Sequence, residues 1–318
     1  MVISILGAGA WGTALAISLS NKHNVVLWTH NKVTFDSIKN KQESNKLPGC
    51  LIPNNVSVTL EIEETLNSEL IILATPTQSI RAICQQLLNN NIKPDIPVIA
   101  VCKGIEQSTL MLPSEIIKEK LHNNSIVIFS GPSFAIEVAN KLPYSMVLAC
   151  YNTELGLKLM SKLQQKNLTL NFSNDIIGTQ ICAALKNVFA IACGIILGRN
   201  LGCNTHAILI TKSMHEIRTL YKAKTGNDNI DTLLGPACLG DLVMTCTSLH
   251  SRNMSFGFKI GSSGNFQKSA AVVEGITTTK SLFNLAKKLQ INLPICNAIY
   301  RLLYENATID ETILTMLK

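Results

Sequence analysis

A chain of 318 residues has room for one large domain or two ordinary ones. With 47% hydrophobic and 15% charged residues, it has material for a sizeable core and is not a disordered chain. The net charge of +7 comes without any dense Lys/Arg block, so it carries no nucleic-acid signature; an anionic small molecule, such as a phosphate, suits it equally well. Ten cysteines form no CxxC pair and no Cys/His cluster at zinc spacing. They read as buried, reduced thiols in the cytoplasm, with no metal site. The first strand starts at Val2, so no signal peptide is expected, and the longest apolar run, 188–197, is too short to span a bilayer.

Val2-Ile3-Ser4-Ile5-Leu6 is an apolar, β-branched run and predicts a buried strand. Gly7-Ala8-Gly9-Ala10-Trp11-Gly12 follows at once, and residues 13–19 then read as a helix. Strand, GxGxxG, helix is the context of a dinucleotide-binding turn. Gly7 permits the tight turn, Gly9 lets a pyrophosphate approach the backbone, and Gly12 lets helix pack on strand. The helix N-terminus offers N–H groups and partial positive charge to phosphates. A second strand covers 25–28 and runs into Thr29-His30-Asn31-Lys32, with no acidic residue to hold the ribose hydroxyls. This segment tolerates a 2′-phosphate, so NADPH is expected to serve at least as well as NADH; the alternative is that His30 and Lys32 are solvated loop residues.

Residues 47–50 read as an irregular loop, 70–74 as a third strand and 79–88 as a helix. Further strands are expected at 98–102, 125–129 and 146–150. Strands alternating with helices predict an α/β, doubly wound, mostly parallel sheet, whose ligands bind beyond the C-terminal strand ends. Lys103 and the turn from Gly131 to Ala135 lie at such ends. From about residue 178 the spacing becomes helical, with helices expected near 178–192, 205–223, 294–304 and 309–317. This predicts two domains, 1–179 with the sheet and 180–318 all-helical.

Lys186 interrupts an otherwise apolar helix, where an unpaired ammonium is costly. Ala183, Asn187 and Ala190 share its face, leaving room and one polar group. Either Lys186 reaches the surface or pairs with a buried carboxylate, or it is a general acid/base whose pKa is lowered by burial or a nearby cation. Gly235-Pro236-Ala237-Cys238-Leu239-Gly240 makes a turn before Asp241, which reads either as a helix N-cap or as part of a polar site. Ser251-Arg252-Asn253 has the chemistry to hold a phosphate, although on its own it reads as an exposed loop.

Taken in order, these segments resemble the bacterial-type NAD(P)-dependent glycerol-3-phosphate dehydrogenase family over almost the whole chain. The resemblance is carried by the glycine turn through Ala16, Cys102-Lys103-Gly104-Ile105-Glu106, Gly131-Pro132-Ser133-Phe134-Ala135, Ala184-Leu185-Lys186-Asn187-Val188, Leu239-Gly240-Asp241-Leu242-Val243, Ser251-Arg252-Asn253 and Val272-Val273-Glu274-Gly275. It implies a Rossmann-like sheet domain followed by the helical one, and reversible hydride transfer between NAD(P)H and dihydroxyacetone phosphate, giving sn-glycerol 3-phosphate for glycerophospholipid synthesis. Lys186 would be the proton donor and acceptor, with Lys103 and Asp241 completing the catalytic site. Lys103, Gly131, Ser133, Lys186, Asn187, Asp241, Ser251, Arg252 and Asn253 would hold the substrate. Gly7, Gly9, Ala10, Trp11, Gly12, His30, Lys103, Ala135, Arg252, Val272 and Glu274 would line the cofactor. Ala10 departs from relatives that place Ser in the phosphate turn, at the cost of one side-chain hydrogen bond at most. No nucleic-acid partner and no membrane insertion are expected, and a homodimer is left open. A related dehydrogenase acting on a hydroxy acid would also want Lys186 and Arg252, whereas a nucleotide sensor that had lost catalysis should lack Lys186 or Asp241.

Overall fold

Strand β1 (Val2–Leu6) lies inside an eight-stranded sheet because its side chains are apolar on both faces: Ile3, Ile5 and Leu6 are fully buried. The computed structural model describes residues 1–263 and 273–318. The other strands of the chain are β2 (Asn24–Trp28), β3 (Glu43–Ser44), β4 (Leu47–Leu51), β5 (Val56–Thr59), β6 (Leu70–Leu73), β7 (Val98–Ala100), β8 (Ile126–Ser130), β9 (Tyr144–Cys150) and β10 (Leu168–Ser173). The sheet order is β10-β9-β8-β7-β6-β1-β2-β5. Every pair is parallel except β8 with β9, so the sheet is mostly parallel, as the alternation of strands and helices predicts.

The remaining pair, β3 and β4, is a small antiparallel ribbon and corrects the expected loop at 47–50. Pro48 and Gly49 weaken the strand signal, but a two-stranded ribbon consists of edges alone and tolerates a residue that cannot donate. The helices of this half are α1 (Ala10–Leu19), α2 (Lys32–Lys41), α3 (Ile80–Asn89), α4 (Pro113–Lys120), α5 (Ala135–Ala139) and α6 (Thr153–Leu163).

Two compact units result. One comprises Met1–Cys102 and Pro113–Ile176, the other Lys103–Leu112 and Ile177–Lys318. A single cut near residue 180 leaves Lys103–Leu112 with the sheet. Those residues pack with the helices instead, because Ile105 and Leu112 are fully buried in the helical core and Ser281 Oγ donates to Ile105 O at 2.9 Å.

The helical unit is built on α7 (Ile176–Gly198), in which residues 181–196 are buried throughout. By length and composition this 23-residue helix could cross a membrane, which the shorter apolar run at 188–197 understates; 89% of its most apolar window is buried within the protein. Around it stand α8 (Gly202–Thr225), α9 (Ile230–Leu234), α10 (Asp241–Thr247), α11 (Arg252–Ser263), α12 (Glu274–Leu289), α13 (Pro294–Tyr304) and α14 (Ile309–Leu317). The bounds of α13 and α14 coincide with those read from periodicity. Thr308 and Glu311 close a capping box on α14, and Glu216 of α8 accepts from Ile295 N and Cys296 N at the start of α13.

Glycines set how closely α11 approaches α7. A Cβ on Gly257 would lie 2.0 Å from Ile191 O, and one on Gly261 would lie 2.4 Å from Ile195 O. From the other side, a Cβ on Gly194 would lie 2.2 Å from Met254 O. Backbone occupies all three positions, so no side chain can move aside. Gly257→Ala is therefore expected to lower the unfolding free energy by about 2 kcal/mol or more, the upper range of overpacking costs; denaturant titration checks this, and an unchanged midpoint would refute the close crossing.

Candidate active site

The centre of the helical unit's polar chemistry is one carboxylate held by two ammoniums. Lys186 sits on α7 in the middle of its buried run and is 5% exposed. Its Nζ donates to Asp241 Oδ1 at 2.5 Å and to Thr245 Oγ1 at 2.9 Å. Lys103 Nζ donates to the other oxygen, Asp241 Oδ2, at 2.7 Å. Asp241 itself is fully buried.

The local sequence explains why Asp241 is available. Gly235-Pro236 breaks the chain after α9, and residues Pro236–Gly240 form one wide π-helical turn that runs directly into α10. The N-cap position therefore falls on Gly240, and Asp241 is already inside the helix with no capping bond to make. Asp241 is therefore not the N-cap, and its carboxylate bonds the two lysines instead. Thr245 lies one turn further along and donates to Asp241 O at 2.6 Å. With that proton used, its oxygen is left to accept from Lys186. Reading the sequence alone misses Thr245, although its i+4 spacing from Asp241 is a signal that could mark it.

The electrostatics of Lys186 follow from this packing. Burial pushes its pKa down, Asp241 raises it, Lys103 lowers it again, and the outcome is about 8. An ammonium with that pKa exchanges protons near neutrality, which an exposed lysine does not.

Further residues gather in the same unit. Asn187 and Asn253 are buried, and Asn253 Nδ2 donates to Asn187 Oδ1 at 2.9 Å. Ser251 is buried and its Oγ accepts from Met254 N at 3.3 Å, which caps α11. The tripeptide Ser251-Arg252-Asn253 is thus the beginning of a helix, where sequence alone suggested an exposed loop; only Arg252 is exposed. The reason is the Ser side chain followed by Asn253, Met254 and Phe256, which bury themselves on the helical core. Glu274 opens α12 and is half-buried. Burial pushes its carboxyl up, while the charges of Arg252, Lys103 and Lys186 pull it back, so these four ionic groups share one neighbourhood. Val272 lies outside the described residues.

The sheet unit holds the rest. Gly7 has φ +120°, a conformation that side chains rarely adopt, and a Cβ there would lie 2.8 Å from Ala74 C. A Cβ on Gly12 would lie 1.8 Å from Gly7 O. Both glycines are required by the turn, whereas a Cβ on Gly9 meets nothing within 4 Å. No side chain caps the start of α1, and no acidic residue occupies its first turn. Ala10 and Trp11 form that turn, and the buried Trp11 Nε1 has no hydrogen-bond partner among the described residues. Thr75, Thr77 and Ser130, at or just past the C-terminal ends of β6 and β8, carry buried hydroxyls in the same condition. Open space at Gly9, an uncapped helix start and unpartnered donors at the strand ends fit a dinucleotide.

His30 is exposed after β2, with its ring 6.1 Å from that of Trp28. Asn31 is occupied as the cap of α2, and Lys32 pairs with Asp36 at 2.9 Å. Past β8, a Cβ on Gly131 would lie 2.3 Å from Ser145 O, Ser133 Oγ donates to Gly131 O at 3.0 Å, and Ala135 starts α5. Among the described residues no His, Cys, Asp and Glu side chains are grouped to hold a metal ion.

Known proteins resemble both units of this chain. The family described as NAD-dependent glycerol-3-phosphate dehydrogenase N-terminus matches residues 2–156, and the corresponding C-terminus family matches residues 175–314. A glycerol-3-phosphate dehydrogenase [NAD(P)+] of Wolbachia sp. subsp. Drosophila simulans is 66% identical, with 98% of each chain covered. The protein of that name from Ehrlichia chaffeensis is 48% identical, covering 98% of this chain and 99% of its own. Among solved structures, the glycerol-3-phosphate dehydrogenase of Coxiella burnetii superposes with a TM-score of 0.94 at 30% identity, covering 100% of this chain and 98% of its own. With both units matched and relatives aligned nearly end to end, this chain belongs to the NAD-dependent glycerol-3-phosphate dehydrogenase family.

Proposed function

We propose that Lys186 is the proton donor and acceptor in a reversible reduction of dihydroxyacetone phosphate to sn-glycerol 3-phosphate. The supporting observation is the buried cluster of Lys186, Asp241 and Lys103, with its 2.5 and 2.7 Å contacts and a lysine pKa of about 8. A reduced nicotinamide, when bound, supplies the hydride that converts the ketone carbon to a carbinol. The carbonyl π pair moves onto oxygen as that bond forms, and the Lys186 ammonium gives a proton to the oxygen. In the reverse direction the neutral amine takes that proton back.

Asp241 holds the lysine Nζ in place through Oδ1, and Thr245 fixes a second direction. Lys103 adds positive field where the oxygen becomes negative and favours the neutral state of Lys186. Arg252, exposed at the start of α11, presents a planar fork suited to phosphate oxygens. Ser251 and Asn187 are nearby polar groups on the same unit. The family resemblance also assigns Gly131 and Ser133 to the substrate. The cofactor's pyrophosphate belongs at the start of α1, beside Gly7, Gly9, Ala10 and Gly12, with Trp11, His30 and Ala135 along its length. The family resemblance also assigns Lys103, Arg252 and Glu274 to the cofactor.

Lys186→Ala is expected to lower turnover about a thousandfold, within the usual range for a lost general acid, while NADH still binds; near-normal turnover in the variant would refute the role. The pH dependence has a definite sign. Reduction needs the ammonium, so its rate should fall above about pH 8, whereas oxidation of glycerol 3-phosphate needs the amine and should rise through about pH 8. Initial rates in both directions across that pH check this, and limbs of the opposite sign would exclude Lys186 as the titrating group. Arg252→Ala is expected mainly to raise KM for dihydroxyacetone phosphate, by about tenfold to a hundredfold for a lost charge-assisted bond; an unchanged KM would place the phosphate elsewhere.

A further inference from the structure

Beside the lysine cluster, the helical unit buries a second group of reactive side chains, which proton transfer does not use. Cys193 stands two turns after Lys186 on the same face of α7. Cys246 follows Thr245 on α10, next to the hydroxyl that accepts from Lys186. Both cysteines are free and enclosed, at 0% exposure. The Cys193 thiol is hydrogen-bonded to the Cys246 thiol and to the ring of His206, a half-buried residue of α8. His206 Nε2 also lies 2.8 Å from Cys246 O. A carbonyl can only accept, so this nitrogen carries the ring proton and donates. Two thiols and an imidazole from three helices thus meet beside the carboxylate that holds Lys186, and the charges of Lys186 and Asp241 both reach Cys246.

The two thiols are unequal. Its bonds to Cys246 and His206 hold Cys193 below the ordinary thiol range, against the effect of burial. Burial, and then Cys193 itself, push Cys246 well above that range. Cys193 in turn raises the pKa of His206. The arrangement favours a Cys193 thiolate beside a His206 imidazolium, with Cys246 keeping its proton. A nucleophilic sulfur in contact with a second thiol is what oxidation to a disulfide requires.

We propose that Cys193 and Cys246 are a peroxide-sensitive dithiol, whose closure to an α7–α10 disulfide displaces Asp241 from its place beside Lys186. The Cys193 sulfur attacks one oxygen of hydrogen peroxide, and the O–O bond breaks. The departing hydroxide takes a proton from the His206 imidazolium and leaves as water, with Cys193 now a sulfenic acid. The Cys246 sulfur then attacks the Cys193 sulfur, the S–O bond breaks, and the leaving hydroxide takes the Cys246 proton as a second water. The dithiol loses two electrons and peroxide is reduced. Enclosure suits an oxidant little larger than water. A covalent S–S bond is shorter than the contact between hydrogen-bonded thiols, so forming it pulls on α10, which carries Thr245 and Asp241 as well. The effect on turnover rests on the reading of Lys186 given above; the disulfide itself does not.

Hydrogen peroxide added to the whole protein tests both parts. A peptide map should show Cys193 linked to Cys246 and separates this from oxidation of the exposed Cys203. Turnover of dihydroxyacetone phosphate is expected to fall about tenfold to a hundredfold, the cost of moving a catalytic group by the order of 1 Å. Dithiothreitol should restore it, because sulfenic acid and disulfide are the reversible stages of thiol oxidation. Cys193→Ala should keep its turnover in peroxide. Cys246→Ala lacks the resolving thiol, so dimedone should capture a sulfenic acid on Cys193 there.

A map of the treated wild type without the Cys193–Cys246 link overturns the dithiol, and this result needs no variant to fold. A linked protein with unchanged turnover overturns the displacement of Asp241. A wild type that does not turn over dihydroxyacetone phosphate before treatment overturns the reading of Lys186, while the map still decides the dithiol.

Discussion

The carboxylate of Asp241, shared between two lysines, is the interaction on which the helical unit's chemistry depends. A fully buried aspartate and a lysine at 5% exposure have both lost most of their hydration. Each would be costly alone, so their 2.5 Å contact is a condition for burying either. The pair need not add to net stability; its effect is geometric. Asp241 fixes the position of Nζ, while burial and Lys103 outweigh its pull on the proton and leave the lysine with a pKa of about 8. The same carboxylate thus holds the lysine in place without keeping it permanently charged.

Backbone proximity makes this arrangement rigid. Residues 181–196 of α7 are buried on all sides, so the direction of Lys186 is set by the helices around it. Gly194, Gly257 and Gly261 let α11 approach until the two backbones touch, which brings Asn253 within reach of Asn187. A side chain at any of those glycines would separate the helices and lengthen every polar contact that crosses between them. The sheet unit uses the same device at Gly7 and Gly12, where strand, turn and helix meet with no room for a Cβ.

How much of this was legible in the sequence depended on whether the signal was local. The first strand and its glycine turn were legible because adjacent residues specify them. So were α13, with Pro294 at its start, and α14, with Thr308 and Glu311 in its capping box. Lys186 stood out because an ammonium in an apolar helix needs a reason. Asp241 remained ambiguous, since a turn before an aspartate looks the same whether the side chain caps a helix or binds a lysine 55 residues away in sequence. The direction of β9 was not legible either, because an apolar run does not report whether its neighbour runs parallel or antiparallel. Lys103 read only as the end of a strand, and it is the burial of Ile105 and Leu112 that assigns Lys103–Leu112 to the helices. Ser251-Arg252-Asn253 looked polar and exposed, because helix starts and loops use the same residues.

The buried polar groups of the lysine cluster and those at the strand ends beside the glycine turn are partnered in opposite ways, and the contrast suits different ligands. In the helical unit, Lys186, Asp241 and Thr245 are bonded to one another, as are Asn187 and Asn253, so the direction of each is set by its neighbours. The proton transfer proposed for Lys186 needs that, since the donor must already stand where charge will develop. In the sheet unit, Trp11 Nε1 and the hydroxyls of Thr75, Thr77 and Ser130 are buried without partners among the described residues. An unpaired buried polar group costs about 1–3 kcal/mol, and a ligand that satisfies it recovers that cost on binding. A long nucleotide with many acceptors is suited to such an edge. A three-carbon phosphate has few groups to offer and is better served by partners already fixed in place.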